Sequence, residues 1–315
     1  MSNKTFLHLA VEALRSYGLE NAQLTRLGGA SNTNYKVDVD DKSYVLRLHT
    51  SAARHDRDAI SSELAWLNSL QDTSLVLPKP IVNLQGELVA FVSDDSQKET
   101  LCTLICWIEG KISLTVDAMT DEQLANAGSI MAQLHKHSQE FKLPTDFKRH
   151  TFDEAHFSAR LEVLYAALSN TEFDKNELNN FKSNANHIIA HFVQLERAQN
   201  NFGVIHADFH SGNYLFCDGN VYIIDFDRCG FGFYLYDLTL ALMELNEQQR
   251  KAFLHGYETV KPLPANYTNL KQVFLSLAYL DNLGFLIANP DELAGVVGEF
   301  PFAIEAFRNA VKDIA

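Results

Sequence analysis

The stretch His206-Ala207-Asp208-Phe209-His210-Ser211-Gly212-Asn213, followed by Asp225-Phe226-Asp227, decides how this chain folds and what chemistry it can carry. It places a carboxylate, Asp208, five residues before the carboxamide Asn213, with two further carboxylates beyond a short apolar segment. This spacing is typical of sites that hold an acceptor hydroxyl and Mg²⁺ near one phosphate. Such chemistry depends on positioning and charge neutralisation, so oxygen ligands matter more here than a reactive nucleophile.

The segment between the two motifs is predicted to be a β-hairpin. Tyr214–Cys217 and Val221–Ile224 are rich in aromatic and β-branched residues, which favour strands. The intervening Asp218-Gly219-Asn220 contains the Asp-Gly hairpin signal. A hairpin that is symmetric about its glycine places Asn213 opposite Asp225. The turn therefore predicts an amide oxygen and a carboxylate at the open end of the hairpin, which are ligands that Mg²⁺ prefers.

Four side chains of these motifs are candidate site residues. We interpret Asp208 as the catalytic residue, which orients the acceptor hydroxyl and accepts its proton. Asn213 and Asp225 are interpreted as metal ligands, with Asp227 as an additional one. Taken singly, each has an ordinary explanation, such as a turn former, a helix cap or a strand end. The order and matched spacing of all four favour the metal–phosphate site.

These segments resemble the motif of the aminoglycoside phosphotransferase and choline kinase superfamily, which are small-molecule kinases with a protein-kinase-like fold. The continuation from Ile224 through Leu235-Tyr236-Asp237-Leu238 is especially similar to the bacterial branch of type II homoserine kinases and stress-response kinases. The resemblance implies an α+β, bilobal protein-kinase-like fold. A small antiparallel β-sheet N-lobe, residues 1–106, would bind the nucleotide, and a mainly helical C-lobe, residues 107–315, would carry the catalytic loop and acceptor pocket. ATP and Mg²⁺ are the implied cofactors.

A small polar loop in the first half is the first predicted nucleotide contact. It lies within Leu27–Tyr35, before a predicted strand, and contains Gly29, Ser31 and Asn32. In a kinase-like fold such a loop covers the phosphates, and its small residues let backbone N–H groups approach. A Gly-Gly pair before a strand is also an ordinary turn signal.

Other nucleotide contacts are implied by the resemblance. Arg47, on the third strand, would contact the α- and β-phosphates through its planar guanidinium. Glu63, in a helix predicted over Ile60–Leu67, would pair with Arg47. The alternatives are a solvated strand charge and a surface glutamate. Trp107 and Ile108 stand at the implied hinge between lobes, where adenine would meet backbone groups.

The second half is predicted to be mainly helical. Thr120-Asp121-Glu122-Gln123 is a capping-box pattern that opens a helix. His135 and His137 point to different faces of that helix, so we expect surface or helix-end roles and no metal site. Asp237 is predicted to cap the next apolar helix or to brace the catalytic loop. Asp281, in another apolar helix, is a candidate substrate contact, with a helix-surface carboxylate as the alternative.

Composition narrows the possible partners. The 315 residues carry a net charge of −14, which argues against a nucleic-acid or anionic-membrane partner, because phosphate groups attract clustered Lys and Arg. Met1–Leu19 lacks the basic head and unbroken apolar run of a signal peptide. No segment approaches the roughly 18 apolar residues that span a bilayer. We therefore expect a cytoplasmic protein whose partner is a small-molecule hydroxyl acceptor; the sequence does not indicate its oligomeric state.

Three functions are compatible with these features. The first is ATP-dependent transfer of the γ-phosphate to a hydroxyl of a small molecule, as in aminoglycoside, choline or homoserine kinases. The second is a Ser/Thr protein kinase of the bacterial stress-response type. It is disfavoured because only a short stretch separates Asp227 from the helix at Asp237, and no Ala-Pro-Glu follows. The third is a nucleotide-binding pseudokinase scaffold, disfavoured because the oxygen-bearing positions are all present.

Two positions depart from the commonest pattern of the family. Ala207 stands where glycine is frequent, and Arg228 stands where an acidic residue is frequent. A cation at position 228 can alter which acceptor is tolerated.

Overall fold

The structure, a computed structural model, describes residues 3–27, 32–50, 56–93, 97–112, 116–264 and 266–314. Over these residues the strands are β1 (Gln23–Arg26), β2 (Thr33–Val39), β3 (Lys42–His49), β4 (Pro80–Ile81), β5 (Ala90–Ser93), β6 (Glu99–Cys106), β7 (Lys111–Ile112), β8 (Phe202–Ile205), β9 (Tyr214–Cys217), β10 (Asn220–Ile223) and β11 (Gly230–Phe233). The helices of the same residues are α1 (Asn3–Arg15), α2 (Arg57–Ser69), α3 (Asp121–Glu140), α4 (Glu154–Leu168), α5 (Lys175–Val193), α6 (Tyr234–Leu242), α7 (Glu247–Glu258), α8 (Tyr267–Leu286) and α9 (Leu293–Ile314). Within this described part of the chain, no helix combines the length and apolar character needed to cross a membrane.

The chain divides into two compact units. The first comprises Met1–Ser113, Phe141–Arg149 and Tyr214–Asp227. The second comprises Leu114–Glu140, His150–Asn213 and Arg228–Ala315. The predicted domains, 1–106 and 107–315, are each continuous in sequence. By contrast, each of the two units combines three separate segments of the chain. The domain bounds therefore stay a prediction.

An antiparallel sheet forms the centre of the first unit. Its described strands run in the order β1-β2-β3-β6-β4, and β5 also pairs with β6. Alternate residues of the strands, such as Val37, Leu46 and Leu48, are fully buried on one face. Leu9 and Leu14 of α1 join the same apolar cluster. Helix α1 therefore packs its apolar face on this sheet.

The predicted β-hairpin is present, but its register differs from the prediction. Its turn is the two-residue loop Asp218-Gly219, with φ of 50° and 81°. Positive φ at both positions is the requirement of a type I′ turn, which Asp-Gly satisfies. Cys217 pairs with Asn220 because the loop has two residues and not three. The register argument that set Asn213 opposite Asp225 was therefore wrong by one residue.

The second unit is mainly helical. The predicted capping box opens α3: Gln123 N donates to Thr120 Oγ1 at 3.2 Å, and Thr120 N donates to Gln123 Oε1 at 3.0 Å. Helix α3 packs on α7 at two glycines. A Cβ added at Gly256 would lie 1.8 Å from the carbonyl oxygen of Ala125, and one at Gly128 would lie 2.0 Å from that of Phe253. The backbones of α3 and α7 therefore lie so close together that only glycine fits at these two positions.

Candidate active site

An ion-pair cluster in the first unit surrounds Arg47 of β3. The guanidinium lies 3.4 Å from Glu63 Oε1, 3.3 Å from Asp225 Oδ1 and 3.6 Å from Asp227 Oδ1. The Arg47 side chain is only 12% exposed, so it is not a solvated strand charge. Burial alone would lower the pKa of Arg47, but the charges of Asp225 and Glu63 raise it. The pair with Glu63 that the resemblance implied is present.

Arg149, which sequence reasoning missed, is a second cation beside Glu63. Its Nη1 lies 3.7 Å from Glu63 Oε2 and donates to the carbonyl of Ala59 at 3.0 Å. Its Nη2 donates to the carbonyl of Asp227 at 2.6 Å. Burial raises the pKa of Glu63, and the charges of Arg47 and Arg149 oppose this effect. Both arginines therefore favour the ionised form of Glu63.

The neighbouring residue Lys148 also holds α2, the helix that carries Glu63. Its backbone N donates to Ser62 Oγ at 2.8 Å, and its ammonium pairs with Asp56, the N-cap of α2. On another part of the helix, Trp66 packs edge-on against Phe226 with 5.6 Å between ring centroids. Helix α2 is thus fixed at several points to the Asp-Phe-Asp segment and to Phe141–Arg149. No local pattern in the sequence marks Lys148-Arg149, because its partners are remote in sequence.

The two carboxylates of the Asp-Phe-Asp segment differ in exposure. The side chain of Asp225 is 45% exposed, whereas that of Asp227 is 12% exposed. Asp225 has φ of 63°, a left-handed conformation that is uncommon for residues other than glycine and is often found at functional sites. The half-exposed carboxylate oxygens of Asp225 are accessible to a hard divalent cation, which prefers such ligands.

In the second unit, Asp208 and Asn213 lie together. Asn213 Nδ2 donates to the Asp208 carbonyl and to Asp208 Oδ2, both at 2.9 Å. The amide nitrogen therefore faces Asp208, and the orientation follows from these partners. The amide oxygen, Oδ1, is left as the acceptor that a magnesium site requires.

Two basic side chains flank the Asp208 carboxylate. Arg228 Nη1 lies 3.1 Å from Oδ1, and His210 Nε2 lies 3.7 Å from Oδ2. Burial alone would raise the pKa of Asp208, but the nearby His210 ring and the charge of Arg228 lower it to about 2. A carboxylate with this pKa is a poor proton acceptor, so orienting the hydroxyl is its main contribution. Sequence reasoning did not single out His210, although it lies two residues after Asp208 in the motif.

Asp237 of α6 fixes the loop that carries Asp208. Its Oδ1 accepts from Ala207 N at 2.8 Å, and its Oδ2 accepts from His206 N at 3.0 Å. Ala207 has φ of 61°, so the loop holds a non-glycine residue in the left-handed region. Of the two roles predicted for Asp237, the structure therefore shows the brace; the N-cap of α6 is Phe233.

His135 completes this buried network, and the expectation of a surface role was wrong for it. The side chain has no exposed surface, because α6 and α7 cover this face of α3. Its Nε2 lies 3.0 Å from Asp237 Oδ2, and its Nδ1 lies 2.9 Å from Tyr257 OH. Burial lowers the pKa of His135, which favours the neutral ring. We assign the proton to Nε2, since the carboxylate of Asp237 can only accept.

A cavity of about 320 Å³ opens beside Asp208 within the second unit. Its lining includes Asp208, Arg228, Glu244, Asn282, Phe285 and Glu299. The carboxylate of Glu244 also accepts from Ser211 N at 2.6 Å and from Ser211 Oγ at 2.9 Å. The volume suits a small molecule, and the lining combines apolar walls with a few polar groups, as ligand sites usually do.

Asp281 of α8 is fully buried, so the expectation of a helix-surface carboxylate was wrong. Its Oδ2 accepts from Tyr236 OH at 2.6 Å and from Arg228 Nη2 at 2.8 Å. Its Oδ1 accepts from Arg160 Nε at 2.8 Å and lies 2.9 Å from His156 Nε2. Burial alone would raise the pKa of Asp281, but these hydrogen bonds and the charge of Arg228 lower it. Asp281 is thus joined to the wall of the cavity through Arg228.

The remaining predicted nucleotide contacts lie in the first unit. Gly29 and Ser31 fall outside the described residues. Asn32 is buried just before β2. Trp107 and Ile108 follow β6 and are half-buried, and Trp107 N donates to the carbonyl of Ser43 at 3.1 Å. Contact of these residues with a nucleotide stays a prediction.

Comparison with known families identifies the chain. The model of the family described as "Phosphotransferase enzyme family" matches residues 23–271. The chain belongs to this phosphotransferase family. It is therefore an enzyme of the small-molecule kinase type, and the resemblance to the aminoglycoside phosphotransferase and choline kinase superfamily is confirmed.

Individual relatives agree with this assignment. The amicoumacin kinase of Bacillus subtilis (strain 168) is 24% identical over 290 residues, which cover 87% of this chain and 83% of that protein. A homoserine kinase of Neisseria meningitidis serogroup B is 26% identical over 251 residues, covering 75% of this chain and 73% of the relative. A solved structure of the amicoumacin kinase hAmiN in complex with AMP-PNP, Ca²⁺ and Ami aligns with a TM-score of 0.80 at 20% identity, over 98% of this chain and 94% of that one. The predicted α+β protein-kinase-like fold is confirmed.

Proposed function

We propose that this phosphotransferase moves the γ-phosphate of ATP to a hydroxyl group of a small molecule in a Mg²⁺-dependent reaction. The observation that carries the proposal is Asp208, an ionised carboxylate held by Asn213 and Arg228 at the wall of a small-molecule cavity. A structural relative was solved in complex with AMP-PNP and Ca²⁺. That complex supports a nucleotide as the phosphate donor and a divalent cation as its companion. ATP is supplied inside the cell, so the proposal includes a cytoplasmic location.

The donor side of the proposal uses residues of the first unit. They are Gly29, Ser31, Asn32, Arg47, Glu63, Trp107 and Ile108. Arg47 would neutralise the phosphates, and its carboxylate partners, the buried Glu63 and the half-exposed Asp225, hold the guanidinium in place. The loop of small residues would bring backbone N–H groups to the phosphates. Backbone groups near Trp107 would meet the base.

Asn213, Asp225 and Asp227 are the residues we assign to Mg²⁺. The fit rests on the oxygen donors: Asn213 Oδ1 is turned away from Asp208, and the Asp225 carboxylate is nearly half exposed. When bound, the cation supplies charge neutralisation for the transferred phosphoryl group.

In the reaction, Asp208 accepts a hydrogen bond from the acceptor hydroxyl and directs its oxygen toward the phosphorus atom. A new O–P bond forms as the bond between the γ-phosphorus and its bridging oxygen breaks, and ADP leaves with that electron pair. The hydroxyl proton passes to Asp208 late in the step, as expected for a carboxylate of low basicity.

The cavity also favours a class of acceptor. Among the Asp, Glu, Arg and Lys side chains of its described lining, three are carboxylates and one is a guanidinium. The carboxylates belong to Asp208, Glu244 and Glu299, and the guanidinium belongs to Arg228. Phe285 supplies an apolar wall. A hydroxyl compound with a cationic group and a short apolar body fits this lining, because carboxylates attract an ammonium group.

The function is tested by ADP release with a panel of hydroxyl compounds, including aminoglycosides and amino alcohols. Asp208→Asn should lower kcat about 100-fold or more with the best acceptor while nucleotide binding persists. Asp225→Asn tolerates the left-handed backbone and should weaken Mg²⁺-dependent ATP binding about tenfold or more, measured by calorimetry. Asp218→Asn is the matched control, since Asn-Gly also favours the type I′ turn.

Each outcome bears on one part of the proposal. Wild-type turnover in Asp208→Asn would remove Asp208 from the chemistry. Wild-type Mg²⁺·ATP affinity in Asp225→Asn would contradict the metal assignment. ATP binding without stimulation by any acceptor would favour the scaffold, whereas phosphorylation of a protein alone would favour the protein-kinase alternative.

A further inference from the structure

Arg228 joins two carboxylates of different environments. Its Nη1 donates to Asp208 Oδ1 at 3.1 Å, and its Nη2 donates to Asp281 Oδ2 at 2.8 Å. The side chain is 20% exposed and lines the cavity, whereas that of Asp281 has no exposed surface. The planar guanidinium can bind both carboxylates at once, which a single ammonium cannot do with the same geometry.

The far end of this bridge is fixed. The Asp281 carboxylate also accepts from Tyr236, Arg160 and His156, at distances between 2.6 and 2.9 Å. A buried carboxylate with this many donors has its hydrogen-bonding capacity filled and stays ionised. Asp281 therefore anchors Arg228, and the anchor leaves the guanidinium little freedom to move away from Asp208.

The same helix supplies the neighbouring wall of the cavity. Phe285 follows Asp281 by four residues on α8, so both lie on one face of the helix. The guanidinium carbons of Arg228 and Arg160 lie 5.6 and 5.5 Å from the centroid of its ring. Both arginines are within the range of cation–π attraction. The Asp281 cluster thus sets the positions of both Arg228 and Phe285.

We propose that Arg228, anchored by Asp281, is a specificity-determining residue that offsets the charge of Asp208 and so limits how strongly the cavity holds a cationic acceptor. The inference rests on the proposed function, because it assumes that the acceptor enters the cavity beside Asp208. Glu244 and Glu299 supply the attraction for a cation, and Arg228 opposes it close to the reacting hydroxyl. Asp281 is a positioning residue in this scheme, since it acts through Arg228.

The test compares ethanolamine with propanol, its neutral isostere, as acceptors in the ADP-release assay. Arg228→Gln should lower KM for ethanolamine about tenfold, the effect of removing one nearby like charge in a partly solvated cavity. KM for propanol should change less than about twofold, because it carries no charge. The value of kcat should fall for both compounds, since Asp208 loses a positioning partner.

Two further variants separate charge from structure. Arg228→Lys keeps the charge but cannot bind Asp208 and Asp281 with the same fork, so it should keep the wild-type ratio of KM values and lower kcat. Arg160→Gln removes another partner of Asp281 without touching Asp208, and it should leave the ratio unchanged. Urea unfolding of each variant checks that the fold is retained.

The outcomes distinguish this inference from the function on which it rests. If the wild-type enzyme phosphorylates neither compound, the proposed acceptor class is refuted, and the inference falls with it. If the wild-type enzyme is active but Arg228→Gln leaves the KM ratio unchanged, only the inference is overturned. A ratio shifted equally by Arg160→Gln, or shifted by Arg228→Lys, also overturns it.

Discussion

Replacing Asp237 tests whether a buried carboxylate holds the loop that carries Asp208. The side chain is fully buried and accepts three hydrogen bonds, from His206 N, Ala207 N and His135 Nε2. Asp237→Asn keeps one acceptor oxygen and turns the other into an N–H group that faces donors. Each buried donor left without an acceptor costs about 1–3 kcal/mol, and this substitution leaves at least one such donor. We therefore expect the free energy of unfolding to fall by about 3 kcal/mol. That is a large share of the roughly 5–15 kcal/mol that stabilises an ordinary protein.

The assay is urea unfolding at neutral pH, with the slope compared between variants. Asp313→Asn is the control, because this exposed carboxylate near the end of α9 should change stability by less than about 0.5 kcal/mol. In turnover measurements, Asp237→Asn should lower kcat about 100-fold, since small displacements of a catalytic group are costly. A stability within about 0.5 kcal/mol of the wild type would refute the reasoning, because it would show that the loop does not need this acceptor.

The stability difference between the wild type and Asp237→Asn should depend on pH. Burial alone would raise the pKa of Asp237, but the hydrogen bond from His135 and the amide of Ala207 contribute to lowering it below its ordinary value. A carboxylate with a lowered pKa in the folded state stabilises the fold above its unfolded pKa of about 3.9, and this contribution is lost as the pH falls. The stability difference between the wild type and Asp237→Asn should therefore shrink below about pH 4. A difference that grows in acid would contradict the assigned direction.

Two further predictions concern packing and charge. Arg149→Met should destabilise the fold by about 3 kcal/mol and weaken Mg²⁺·ATP binding, because Glu63 loses one of two buried cations. Arg149→Lys keeps the charge and should lose less stability and less affinity. Equal losses for the two variants, in urea unfolding and in calorimetry, would exclude a charge effect. Gly256→Ala should destabilise by about 2 kcal/mol or more, since its Cβ would lie 1.8 Å from the Ala125 carbonyl oxygen. Gly298→Ala, in open space on α9, should instead stabilise by up to about 1 kcal/mol in the same urea assay, and effects of one sign at both glycines would contradict the packing argument.

Sequence reasoning succeeded where the relevant partners are close in sequence. The capping box at Thr120 and the Asp218-Gly219 turn each involve residues within a few positions of one another, so their chemistry can be read directly. The order of Asp208 and Asn213 in one loop also brings them together. Even the hairpin shows the limit of local reasoning, because the loop length set a register one residue away from the predicted one.

By itself, the sequence determined the kinase-like α+β fold, its capped helices and the loop that holds Asp208 beside Asn213. Only the tertiary structure decided which charged side chains are buried and what they meet. Arg149 reaches Glu63, His135 reaches Asp237, and Arg228 reaches Asp281, each across a long stretch of chain. The physical reason is that burial depends on which remote elements cover a helix face, and hydrophobic periodicity alone does not specify the partner.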